Sequence, residues 1–199
     1  MLRKLESEVF AKLVCLTDLR LNHNCLSQVH AGTFRNLTTL TTLFLNNNCL
    51  EELSAYAFVD LLALEILDVS ANKLRRVPDF TLLAGNQSNL KAVCLHHNQI
   101  VAVRRDDFGE LGSLKLLLLN ANKISHIEAN SFVHLSRLKV LFLYDNELDD
   151  DFEYASLVTD LRKLRYFLTR CELSKIKELI MHIRLKKYRN LVDFESFKM

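Results

Sequence analysis

His96 and His97 stand side by side, and six acidic residues crowd into a single turn near the end of the leucine-rich stretch. Metal sites and calcium loops are built from such residue types, but spacing decides whether they form. Neighbours on a strand point to opposite faces, so His96 and His97 are expected to be surface histidines rather than joint ligands. Asp145, Glu147, Asp149, Asp150, Asp151 and Glu153 lack the ligand spacing of a calcium loop. They read as a solvated turn that can attract a cation or a basic partner. Four glycines are too few for a phosphate-cradling loop here, and no CxxC pair, HExxH helix or GxSxG elbow occurs. The sequence therefore predicts no enzyme, no metal and no cofactor.

The elements around these residues repeat. Residues 16–26 read LTDLRLNHNCL and residues 40–50 read LTTLFLNNNCL. LEILDVSANKL follows at 64–74, LKAVCLHHNQI at 90–100, LKLLLLNANKI at 114–124 and LKVLFLYDNEL at 138–148. All six fit LxxLxLxxNxL, with Val or Ile in place of some leucines, at start-to-start spacings of 24, 24, 26, 24 and 24 residues. A fixed period of this kind marks a solenoid. The alternating leucines read as a strand, yet an asparagine, depleted from strands, recurs where each strand ends. Asn24, Asn48, Asn72, Asn98, Asn122 and Asn146 are expected to stack as a column inside the coil. There each amide can satisfy backbone groups that neither strand nor water reaches. Asn46 and Asn47 are expected to face solvent.

The second half of each repeat places an aliphatic, a phenylalanine and a leucine at fixed offsets. Val29, Phe34 and Leu37 do so, as do Leu53, Phe58 and Leu61, then Val103, Phe108 and Leu111, then Ile127, Phe132 and Leu135. The rings would form a spine under the convex wall. The third repeat carries two extra residues within VPDFTLLAGNQSN, where Phe80 or Leu82 must fill the spine and Gly85, Asn86 and Ser88 mark a loop.

Period, Asn column and Phe spine together resemble the typical 24-residue class of leucine-rich repeats over residues 2–148. That class includes Toll-like receptors, Slit-type proteins and small matrix proteoglycans. The resemblance implies an α/β solenoid, a curved array with a parallel concave sheet, whose strand face binds macromolecules. It also implies an extracellular or cell-surface setting and a receptor-type or matrix recognition role. An intracellular adaptor or enzyme inhibitor is the alternative.

Domain boundaries follow from where the pattern holds. The array is expected over 1–173, with a partial repeat at 2–15, six clear repeats at 16–148 and a degenerate seventh at 163–173. The seventh places Tyr166, Leu168, Cys171 and Leu173 at the pattern positions. Leu2, Leu5, Phe10, Leu13 and Leu16 match the second half of a repeat whose strand is absent. The chain is thus expected to be a piece of a longer protein, a truncated reading frame or a splice form, with no leader sequence. Residues 174–199 are expected to be a C-terminal helix and tail. Leu173, Ile176, Ile180 and Ile183 fall on one face at helical spacing, with Lys175, Lys177, Arg184, Lys186, Lys187 and Arg189 around them. This helix either caps the last repeat or contacts an anionic surface or partner.

Composition adds limits. The 199 residues are 49% hydrophobic with a formal charge of +2, which gives no general pull toward nucleic acid or membrane. No apolar run approaches the ~18 residues of a membrane span. Cys25 and Cys49 share a position in successive repeats, close enough for a disulfide yet pointing the same way. A bridge and two free thiols both stay open. Asn36 and Asn86 head glycosylation sequons, although chance alone supplies one or two in such a chain.

Function falls to the concave face. Its central column reads Arg20, Phe44, Asp68, Cys94, Leu118 and Phe142, with Phe167 from the seventh repeat. Asp18, Thr42, Ile66, Ala92, Leu116 and Val140 flank it on one side. Asn22, Asn46, Ser70, His96, Asn120 and Tyr144 flank it on the other. Phe44, Ile66, Leu116, Leu118, Val140, Phe142 and Tyr144 are the candidate contacts for a protein partner, as an apolar patch on a rigid wall. The alternative is that the C-terminal segment folds back and covers it.

Overall fold

The computed structural model describes residues 1–83, 89–109 and 111–148, together with the backbone of residues 166–168. Eleven short strands set its architecture. The long sheet takes one strand from each coil: β1 (Asp18–Arg20), β3 (Thr42–Phe44), β5 (Ile66–Asp68), β6 (Ala92–Cys94), β8 (Leu116–Leu118), β10 (Val140–Phe142) and β11 (Tyr166–Leu168). They lie parallel in the order β1-β3-β5-β6-β8-β10-β11. Pairing is in strict repeat register, Leu19 with Leu43, Leu43 with Leu67, Leu67 with Val93, Val93 with Leu117 and Leu117 with Leu141. Parallel neighbours need long crossovers, and here the rest of each coil supplies them.

The asparagine column explains why the register holds. The Asn48 amide nitrogen donates to Leu21 O and Leu45 O, each at 3.0 Å, while its oxygen accepts from Leu26 N at 3.0 Å. Asn72, Asn98, Asn122 and Asn146 repeat the arrangement, each accepting from an amide of the preceding coil and donating to carbonyls of both coils. Asn24 accepts from Leu2 N at 2.8 Å, so the partial first repeat stacks on the column too. Desolvating an amide is tolerable only with such pairing. The residue just before each column asparagine (His23, Asn47, Ala71, His97, Ala121 and Asp145) has φ between 50 and 55°. Left-handed backbone favours Asn, Asp and His there; Ala71 and Ala121 accept it without that help. Asn47 is exposed as expected, whereas Asn46 is half-buried.

Phe80, not Leu82, completes the ring spine of the third repeat. Its ring lies 6.5 Å from Phe58 and 6.4 Å from Phe108, and Phe108 stacks on Phe132 at 5.8 Å. Phe10 stacks on Phe34 at 6.2 Å. Leucines from both halves of every coil pack around these rings in one continuous core, the source of most of the folding energy.

The convex wall is less regular. β2 (Gln28–Val29) pairs with β4 (Glu52–Leu53), and β7 (Ala102–Val103) pairs with β9 (His126–Ile127), both parallel. A 3-10 turn at Ala55–Ala57 follows β4. Among the described residues no ladder joins the two pairs. The sequence gives the reason. Ser54 N donates to Val29 O and Glu128 N to Val103 O, but proline stands at the equivalent position 78 and has no N–H to donate.

One expectation about the seventh repeat is corrected. Register pairs Leu141 with Phe167 and Phe142 with Leu168, so Phe167 does not continue the column of Phe142. The weak pattern can be framed from Lys163 or from Leu164, and the pairing follows the frame that begins on leucine. A slip of one residue exchanges the two faces of a strand. The expected C-terminal helix at 174–199 lies outside the described residues.

Candidate interaction surface

Strand alternation sends Leu43, Leu67, Val93, Leu117 and Leu141 into the core and their neighbours onto the concave face. In-register pairing then makes columns of those neighbours. Ile66, Ala92, Leu116 and Val140 form one; Phe44, Asp68, Cys94, Leu118 and Phe142 form the next. Sheet geometry thus brings together every candidate contact read from the sequence.

Exposure differs from expectation. Arg20 and Asp18 on β1 are open to solvent, and Phe44 on β3 is half-buried with the Arg20 guanidinium 5.4 Å above its ring. From β5 onward all three residues of each strand are buried through β10. Leu118 is only 2% exposed, and Ile66, Leu116, Val140, Phe142 and Tyr144 are equally closed. None of these side chains belongs to the core cluster between the two walls of the solenoid, in which Leu67, Leu117 and Leu141 take part. They are buried on the outer side of the sheet. The apolar patch is therefore real as a juxtaposition but is not the open wall that alternation suggested. The segment that the covered-face alternative invokes lies outside the described residues.

Polar groups share this closed face. Asp68, 4% exposed, accepts from Ser70 N at 2.9 Å and Ser70 Oγ at 2.6 Å. Burial pushes its carboxyl up to about 6 against those two hydrogen bonds, which act the other way. Cys94 is its register partner on the next strand, in the same column, fully buried, and desolvation plus the Asp68 charge push its thiol well up. That thiol is inert as a nucleophile. His96 is buried rather than at the surface as expected; His97 is exposed, their rings 5.5 Å apart. His96 and Tyr144 each engage a further partner, and Tyr144 lies against Phe142 at 5.8 Å. Asn120 Oδ1 is buried with no hydrogen-bond partner among the described residues.

Other candidate residues fall elsewhere. Cys25 and Cys49 are both free thiols, so the bridge that their spacing would permit is not formed. Asn36 is exposed in left-handed backbone, while Asn86 lies outside the described residues. Asp145 and Glu147 are exposed; Asp149, Asp150, Asp151 and Glu153 lie outside the description. Two shallow clefts, about 590 and 800 Å³, flank Arg75–Asp79 on the convex side. Sequence reasoning missed them because they arise from the unladdered third repeat. The smaller sets Arg75 and Arg76 beside Glu51, Glu52 and Asp79, the larger sets Arg75, Arg76 and Arg104 beside Asp79, Asp107 and Glu128, and neither converges on a reactive group. No helix among the described residues is long and apolar enough to cross a membrane.

Comparison with known proteins matches this geometry. A family model described as leucine rich repeat matches residues 15–74 and 88–148. No curated protein sequence matches the chain. Among solved structures, the Drosophila Toll–Spatzle complex in its glycosylated form aligns at 28% identity and a TM-score of 0.75, over 85% of this chain and 23% of that one. The TLR13–ssRNA13 complex aligns at 28% identity and 0.61, over 82% and 26%. The complex of Latrophilin 3, Unc5D and FLRT2 aligns at 23% identity and 0.63, over 85% and 46%, a likeness of fold alone. The chain spans about a quarter of the length of the Toll and TLR13 chains it matches.

Proposed function

Because this chain belongs to the leucine-rich repeat family, we propose that it is a non-enzymatic protein-binding module, a receptor-type or matrix recognition protein or a part of one. The surface is the concave strand face, and its contacts are Phe44, Ile66, Leu116, Leu118, Val140, Phe142 and Tyr144. One observation carries this: in-register strands gather these side chains into a single apolar block on a rigid wall, outside the core. Aromatic and aliphatic anchors at the centre of such a block dominate protein association. The Toll–Spatzle complex, in which a structurally similar array occurs beside another protein, supports a protein ligand over a small molecule.

The test is a photoreactive side chain at Leu118, with a second at exposed Leu62 on the other side of the coil, in cells that make the protein. Adducts to a distinct protein from position 118 and not from position 62 are expected. Adducts from position 62 alone would overturn the assignment.

The module is extracellular or at the cell surface on this reading. Asn36, exposed and left-handed, is its expected glycan acceptor. Free thiols at Cys25, Cys49 and Cys94 favour a second reading, an intracellular adaptor or enzyme inhibitor in a reducing compartment. Glycan at Asn36 on native material decides for the first; an unmodified Asn36 with all thiols reduced decides for the second.

A further inference from the structure

The residue after each column asparagine belongs to a column of its own, and the chemistry of that column changes along the array. Hydrogen bonds set its alignment. Cys49 N donates to Leu26 O at 2.9 Å and Cys25 N to Leu2 O at 2.8 Å, while Leu26 N and Leu2 N donate to the side chains of Asn48 and Asn24. Met1, Cys25 and Cys49, spaced 24 residues apart, therefore hold one position in three successive coils. Lys73, Gln99, Lys123 and Glu147 continue it through equivalent bonds. Sulfur fills the first three places and none of the next four. The Cys25 sulfur lies 3.6 Å from the Met1 sulfur. Cys25 and Cys49 are both free thiols and both half-buried. Close spacing in the sequence does not reveal this set. A full coil of chain separates each sulfur from the next, and stacking alone brings them together.

We propose that Met1, Cys25 and Cys49 form a binding site for a soft monovalent metal ion, copper(I). A metal–sulfur bond of about 2.3 Å sets two sulfurs on one ion roughly 4–4.6 Å apart, from trigonal to linear geometry. Coils that step as their strands do repeat at about 4.8 Å. That repeat and the 3.6 Å contact bracket the required separation, so rotation of the side chains suffices. Thiolate and thioether are the soft ligands that suit copper(I). A structural zinc ion takes four ligands, and among the described residues no three His, Cys, Asp or Glu side chains gather to supply them. Binding releases the two thiol protons to water as two copper–sulfur bonds form. The thioether adds a third bond without losing a proton. Two thiolates and one monovalent ion leave a single negative charge, and the next residue of the column, Lys73, is a cation. Bound there, the ion joins the partial first repeat to the two coils stacked on it. The site lies at the turns that follow β1 and β3, apart from the candidate contacts on the strands, and does not depend on the protein-binding reading above.

The experiment uses the full chain, reduced and free of oxygen. Copper(I), added as its acetonitrile complex, is titrated against the chromogenic chelator ferrozine. One copper per chain is expected in the unaltered protein and in a control carrying Cys15→Ala and Cys171→Ala. Cys25→Ser and Cys49→Ser should each weaken the affinity at least tenfold while far-ultraviolet circular dichroism stays unchanged. X-ray absorption at the copper edge should show sulfur neighbours alone. Failure to hold copper against the chelator would overturn the proposal. So would full affinity in either serine variant, loss of affinity in the control, or nitrogen and oxygen neighbours at the edge. If a serine variant does not fold, phenylarsine oxide on the unaltered chain decides. Its arsenic loses oxygen as water while forming two arsenic–sulfur bonds to a pair of adjacent thiols, and peptide mapping is expected to join Cys25 to Cys49. A bridge between other cysteines, or no bridge, would overturn the proposal.

Discussion

Replacing Asn72 by alanine isolates the asparagine column, because its bonds can be counted one by one. The side-chain oxygen accepts from Leu50 N at 2.9 Å, and the amide nitrogen donates to Leu45 O, Val69 O and Ser70 O, each at 3.0 Å. All three carbonyls keep another donor, the Asn48 side chain for Leu45, the Asn98 side chain for Val69 and Asn47 N for Ser70. Leu50 N, in a fully buried residue, makes no other hydrogen bond among the described residues and would be orphaned. An orphaned buried donor costs about 1–3 kcal/mol and each lost bond about 1 kcal/mol net. Asn72→Ala is therefore expected to lower unfolding free energy by about 3–5 kcal/mol, a large part of a domain's ~5–15 kcal/mol. Urea denaturation followed by far-ultraviolet circular dichroism measures it, with exposed Lys73→Ala as the neutral control. Hydrogen exchange at the Leu50 amide should accelerate roughly a hundredfold or more. A loss within about 1 kcal/mol of the Lys73 control, with Leu50 protection unchanged, would refute the account of the column. Asn72→Asp sharpens the test. The carboxylate still accepts from Leu50 but cannot donate, and its buried charge should make the variant recover stability as pH falls.

The buried Asp68 predicts a pH dependence. Its folded value of about 6 lies above the ordinary 3.8, so the folded state holds the proton more tightly and stability falls as pH rises from about 4 through 6. The loss is about 3 kcal/mol. Asp68→Asn, which keeps the acceptor for Ser70, should match the parent at pH 4 and exceed it by about 2–3 kcal/mol at pH 8 in thermal or urea melts. Phe108→Ala removes a ring stacked on Phe80 at 6.4 Å and on Phe132 at 5.8 Å. It should cost about 3–5 kcal/mol in the same urea assay. Ala121→Gly, at φ 52°, should gain about 0.5–1 kcal/mol from relieved left-handed strain, whereas Ala92→Gly within β6 should destabilise.

The repeat made the array legible because stacking imposes the same need on every coil. An amide must end each strand and a ring must fill each convex layer, so Asn48 and Phe34 declare themselves by position. Where two residues are added, position no longer decides, and Phe80 and Leu82 could be separated only by packing. The register of the seventh strand differed for a related reason: two frames one residue apart fit Tyr166–Leu168, and hydrogen bonding chose between them. The candidate surface was half legible. Alternation placed Leu118 and Phe142 on the outer side of the sheet correctly. It could not say what lies over them, because a local pattern of directions carries no information about distant segments of chain. Burial of Asp68, Cys94 and His96 escaped notice for that reason.

Pro78 has a mechanical consequence. Seven hydrogen-bonded strands tie the front of the array into one unbroken band, but the back is laced in two separate lengths with position 78 between them. Flexing costs least where the fewest bonds must stretch. The third coil is thus the joint at which the arc bends at least cost, since the coils on either side are laced at both front and back.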